Sequence, residues 1–129
     1  MTEAADPPRA DAPAQPPRRV LVLADDLIWA TRLADAITAA GGSPQRIRRL
    51  EDLDRDPAEF AIVDLTARAY DGLEAIRIAR GTGARVVAVG QHDDVPLRKA
   101  ALAAGAERVF TYRALFEDGP RVIAAWLAR

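Results

Sequence analysis

Three short apolar runs constrain this chain more than any other feature: Val20-Leu21-Val22-Leu23-Ala24, Phe60-Ala61-Ile62-Val63 and Val86-Val87-Ala88-Val89. None alternates with polar residues. Each therefore reads as a strand covered on both faces, the pattern of a parallel sheet. With their flanks they predict strands over residues 19–24, 59–64 and 84–89.

The segments between them have helical periodicity. Residues 27–40 carry Trp29, Leu33, Ala36, Ile37 and Ala40 on one stripe, closed by Gly41-Gly42. Residues 72–80 turn Leu73, Ile76 and Ala79 inward and end at Gly81; residues 94–104 end at Gly105. A last helix over 116–128 carries Val122, Ile123, Trp126 and Leu127, with Gly119-Pro120 able to delay its start to about residue 119. Weaker strands are expected at 45–50, where Ile47 and Leu50 sit among arginines as at a sheet edge, and at 107–112. Residues 51–57 leave room for only a short helical turn before Pro57, so the second helix is truncated. Strands alternating with helices require right-handed crossovers and a parallel sheet with helices on both faces. Five strands favour the flavodoxin-like α/β order 2-1-3-4-5.

Residues 1–18 are a different material, with five of the chain's nine prolines, five alanines and no large aliphatic residue after Met1. Such a segment cannot bury enough surface to offset its ordering entropy, so it reads as a disordered tail ahead of one domain at 19–129. A net charge of -1 gives no basic excess for nucleic acid, and no basic amphipathic helix points to a membrane surface. There is no cysteine, and His92 is the only histidine. No apolar run approaches the roughly 18 residues of a spanning helix, and the N-terminus has no signal-like apolar core. The expected location is cytoplasmic.

The chemistry collects at two strand ends. Asp25-Asp26 follows the first strand and Asp64 ends the third. In the order 2-1-3-4-5 these strands are neighbours at the switch point, so the acids converge on one pocket. Such a pocket suits a hard divalent cation and a phosphoryl group. Blander roles stand beside this one. Asp25-Asp26 suits a helix N-terminus, Asp71-Gly72 a turn and helix start, His92-Asp93-Asp94 a loop and cap, and Trp126 the core or an interface. A small flavodoxin-like cofactor-binding enzyme is the rival class. Against it, the chain has no Gly-x-Gly-x-x-Gly, no P-loop and no neutral phosphate-binding loop after the first strand.

Asp25-Asp26, Asp64, Asp71-Gly72-Leu73-Glu74 seven residues on, and Ala104-Gly105-Ala106 before the fifth strand occur in order on the expected elements. In these residues the chain resembles the response-regulator receiver domains (CheY-like) over residues 19–129. The resemblance implies Asp64 as phosphoacceptor and a weakly held Mg2+ on Asp25, Asp26, Asp64 and the Thr66 backbone carbonyl. It implies a non-enzymatic signalling role in a bacterial two-component system, with a histidine kinase or a downstream signalling protein as partner.

Five positions depart from the family pattern. Gly90 stands where a Ser or Thr hydroxyl contacts the phosphoryl group, and Tyr112 and Arg113 stand where Lys-Pro is usual. Val109 replaces the aromatic switch residue, and Arg68 the proline after the acceptor. Tyr112 can donate a hydrogen bond but brings no charge; Arg113 could supply charge but not the geometry of lysine. The expectation is an atypical, pseudo-receiver interaction module, with a phosphorylatable single-domain regulator as the alternative. The fourth helix (94–104), fifth strand and fifth helix (116–128) would present Arg98, Lys99, Arg108, Arg113 and Arg121, a face suited to a protein partner or a homodimer. Three acids without a lysine also lead to the expectation that Asp64→Asn stabilises the metal-free protein.

Overall fold

A computed structural model describes residues 17–129. The expected tail therefore lies outside the described residues except at its end. There Arg18 is the first residue of strand β1 (Arg18–Leu23), one position earlier than the sequence suggested. It pairs in register with Gly42, donates to the carbonyl of Leu127 and lies over the Phe60 ring.

The chain continues through α1 (Leu27–Ala39), β2 (Gly42–Ile47) and a 3-10 turn at Leu50–Asp52. It then forms β3 (Phe60–Asp64), α2 (Gly72–Gly81), β4 (Arg85–Gly90), α3 (Val95–Ala104), β5 (Arg108–Thr111) and α4 (Tyr112–Leu127). The sheet is wholly parallel in the order β2-β1-β3-β4-β5, as the alternation of segments predicts.

Successive residues of the central strands feed opposite layers. Val20, Val22, Phe60, Ile62, Val87 and Val89 pack with residues of α1 and α4. Leu21, Leu23, Ala61, Val63, Val86 and Ala88 pack with residues of α2 and α3. Both layers exclude water, so these strands needed no alternation in sequence. The second helix is indeed cut down to the 3-10 turn, and Leu53 just after it fills the gap at 1% exposure.

The boundaries depart most from expectation at β2 and at the junction of β5 with α4. β2 lies three residues earlier than 45–50 at both ends, leaving Leu50 to the 3-10 turn: Gly41 turns out of α1 at φ 92°, and Gly42 is already paired with β1. A Cβ on Gly42 would stand 2.8 Å from Ile37, so only glycine lets the strand leave the helix this abruptly. Pro44 then sits within β2, tolerated because that strand is an edge. At the other end β5 has four residues, and α4 begins at Tyr112 rather than 116. Thr111 caps it by accepting from Ala114 N at 3.0 Å. The helix then breaks at Asp118 (φ -153°, ψ 37°), just before Gly119-Pro120.

Among the described residues, no helix is long and apolar enough to cross a membrane.

Candidate functional site

The C-terminal ends of β1, β3 and β4 open into a cavity of about 620 Å³ lined by Asp25, Asp26, Trp29, Asp64, Thr66, Arg68, Gln91 and Tyr112. The sequence-predicted acids thus share one pocket. Asp64 is carried there by β3, whose five residues are all buried, and is itself only 2% exposed. A buried carboxylate needs donors. Its Oδ1 accepts from Thr66 N at 3.0 Å and from the Thr66 hydroxyl at 3.1 Å. The Tyr112 hydroxyl also donates to that oxygen and contacts Thr66 Oγ1.

Tyr112 is therefore a pocket residue. It opens α4, and its ring stacks at a tilt on Trp29 with centroids 4.7 Å apart. Burial, and then its bond to Asp64, push its phenol well above the ordinary tyrosine range. Arg113 points elsewhere: its guanidinium pairs with Glu117 at 3.1 Å and is 81% exposed. No cation replaces the family lysine from that position.

The acidic pair divides its work. Asp26 caps α1, its Oδ1 accepting from Ile28 N at 2.8 Å and Trp29 N at 3.2 Å. Asp25 Oδ2 accepts from Arg68 N at 2.8 Å and Ala69 N at 3.0 Å, tying the loop after β3 to the end of β1. Each of the three acids thus has one oxygen committed to protein donors. Their chemistry suits Mg2+ in kind. Among the described residues, however, no three Asp, Glu, His or Cys side chains form a metal-holding group. The acids are therefore not a closed cage for a cation, and each keeps its second carboxylate oxygen for a weakly held one. The stability expectation also changes: the donors on Asp64 make it a held group and not simply a repelled one.

At the position of the family hydroxyl, a Cβ on Gly90 would meet Leu65 Cδ1 at 3.3 Å and Val109 Cγ1 at 3.9 Å. Leu65 also lies 3.2 Å from where a Cβ on Gly72 would be. One leucine side chain thus occupies the space beside both glycines. Asp71 caps α2 and Asp94 caps α3, as their sequence contexts suggested. Trp126 is core, 3% exposed and edge-on to Phe60.

Tyr70 joins the site with no motif to mark it. Its hydroxyl reaches the carbonyls of Leu23 at 2.7 Å and Asp64 at 2.8 Å, joining the two strand ends that carry the acids. Burial, with the nearby acids, raises its phenol strongly. The available signal was an aromatic with a polar tip six residues past a buried acid. The proposed basic face is also less free than it looked, because Arg121 pairs with Asp118 and Arg113 with Glu117.

No protein-family model matches the chain, and no curated protein matches it. Solved structures do. The BeF3-activated receiver domain of DrrB, a Thermotoga maritima protein, is 19% identical with a TM-score of 0.72, over 88% of this chain and 96% of that one. A two-component response regulator from Clostridium difficile is 14% identical with a TM-score of 0.73, covering 87% and 97%. A LuxR-family response regulator from Aurantimonas sp. SI85-9A1 is 22% identical with a TM-score of 0.72, covering 87% and 86%. In strand order and helix placement, this chain has the flavodoxin-like fold of response-regulator receiver domains.

Proposed function

We propose that this domain is a pseudo-receiver: a signalling module that works by contact with a protein partner and accepts phosphoryl groups poorly. The observation that carries this reading is the Tyr112 hydroxyl on Asp64 Oδ1. A lysine at that position would bring a positive charge to a phosphoryl oxygen; a phenol, neutral near pH 7, brings none. Gly90 adds no hydroxyl, and Leu65 crowds the place where one would stand. Losing one such positioned donor typically costs about 100- to 1000-fold in rate. Mg2+ binding in this reading is weak, about millimolar, because a cation must compete with amide and hydroxyl donors already on the acids. The domain performs no catalytic turnover of its own.

A partner surface is available beside the pocket, where Leu27, Ile28 and Phe116 are 66%, 67% and 62% exposed. Val95 and Leu102 of α3 are a second exposed pair, next to Arg98 and Lys99, and suit the alternative of contact through α3, β5 and α4.

The test is incubation with acetyl phosphate in excess Mg2+. Intact mass is expected to show little stable modification. Near-complete modification that disappears in Asp64→Asn would establish the second reading, a phosphorylatable regulator. That reading draws on the placement of Asp64 in the same pocket as Asp25 and Asp26.

A further inference from the structure

The break in α4 divides that helix into parts with different anchorage. The part after the break is core: Gly119, Ile123, Trp126 and Leu127 are buried, and a Cβ on Gly119 would stand 3.2 Å from Ala36 of α1. The part before it, Tyr112–Glu117, buries only Leu115. Side-chain contacts hold it at two other points. Tyr112 bonds to Asp64 and stacks on Trp29 at one end. At the other, the Phe116 ring lies 4.5 Å from the Arg32 guanidinium, which is also 5.9 Å from the Trp29 ring. A continuous line of contact therefore runs from the buried carboxylate, through Tyr112, Trp29 and Arg32, to an exposed aromatic.

We propose that Tyr112–Glu117 is a latch, closed by the Tyr112 hydroxyl on Asp64 and hinged at Asp118–Gly119, whose opening frees the pocket and the Arg32–Phe116 surface together. The inference deepens the reading of the Asp64 pocket given above and rests on it. Asp118 has left helical geometry, and Pro120 lacks the N–H that would carry the helical ladder back across the break. The short segment can therefore move without unwinding the buried one. Anything that takes Asp64 Oδ1 from Tyr112 binds the open state better than the closed one, which is the differential affinity a switch needs. The same movement separates Phe116 from Arg32 and changes what a partner meets beside Leu27 and Ile28.

Amide hydrogen exchange on the full chain tests the latch without any phosphodonor. Tyr112→Phe removes the hydroxyl and keeps the ring on Trp29. Amides of residues 114–118 are expected to exchange at least about tenfold faster, equivalent to about 1.4 kcal/mol, while those of residues 122–127 keep their wild-type rates. Phe116→Ala, at an exposed position, is expected to speed the same 114–118 amides and to raise acrylamide quenching of Trp29. Unchanged exchange at 114–118 in both variants overturns the latch. Equal acceleration at 114–118 and 122–127 overturns it as well, because the helix then moves as one body. Efficient phosphorylation of Asp64 would remove the pseudo-receiver reading and leave these exchange results standing, so the two failures are distinguishable.

Discussion

At the N-terminal end of the sheet the Phe60 ring lies between two guanidinium groups, Arg18 at 5.5 Å and Arg85 at 5.4 Å. Arg85 also grips Glu107 through two bonds of 2.7 and 3.0 Å and donates to the Arg129 carbonyl, while Arg18 donates to the carbonyl of Leu127. Every one of these contacts sets a cation against an anion, a carbonyl or an aromatic face. At the C-terminal end, Asp25, Asp26 and Asp64 are met by amide N–H groups, a threonine hydroxyl and a phenol. Neutral donors satisfy hydrogen bonds without cancelling charge. One end of the sheet therefore closes the structure over its aromatic core. The other holds three acids in place and leaves their charge available to an incoming group.

The largest loss of stability is expected at the closed end. Phe60 is fully buried, and Phe60→Ala is expected to cost about 3–5 kcal/mol in chemical denaturation. Asp64→Asn is expected to cost less, about 1–2 kcal/mol, because it weakens charge-assisted bonds from Thr66 and Tyr112 while relieving repulsion from Asp25 and Asp26. A rise in melting temperature for Asp64→Asn would show that repulsion outweighs the donors. An Asp64→Asn cost larger than that of Phe60→Ala would reverse the assignment of the two ends.

The pH dependence separates the ends further. Arg85 holds the Glu107 carboxyl below its ordinary value of 4.5. A depressed carboxyl contributes stability above its unfolded pKa and loses it as pH falls through the folded one. The acid limb of stability below about pH 4.5 should therefore flatten in Glu107→Gln, by up to about 1 kcal/mol for so accessible a pair. At the pocket end the sign is opposite. Tyr70 and Tyr112 are raised above the ordinary 10.0, so their contribution is complete below that pH and is lost as pH rises beyond it toward the folded values. Tyr70→Phe and Tyr112→Phe should each make the alkaline limb less steep, read from thermal melts between pH 9 and 11. An alkaline limb unchanged in both variants would mean that the phenols are not held neutral at the pocket.

The parts of the molecule dominated by burial were legible in sequence. β1, β3 and β4 are apolar without interruption because helices cover both faces, and that uninterrupted pattern carried both the parallel sheet and its order. Glycine packing displaced β2, and a threonine cap moved the start of α4. Gly42 let β2 begin three residues early, and only the packing of Ile37 against it shows why. The acids of the site were legible from spacing. Their partners were not, because Tyr112 reaches Asp64 only after the shortening of β5 has moved it onto a helix, and Tyr70 acts on carbonyls that no residue pattern marks. Arg113 shows the converse: its charge was visible, but its rotation around α4 away from the pocket was not.

Pro44 has a consequence for behaviour at high concentration. A parallel sheet with two open edges offers a template on which other chains can add as strands and grow into aggregates. Here one edge strand carries a residue with no amide hydrogen to donate, and the other is only four residues long and begins with an arginine. Growth by strand addition is blunted at both sides. Copies of this protein forced together should pack helix against helix as reversible, helical assemblies, without the gain of β-signal that marks fibre formation.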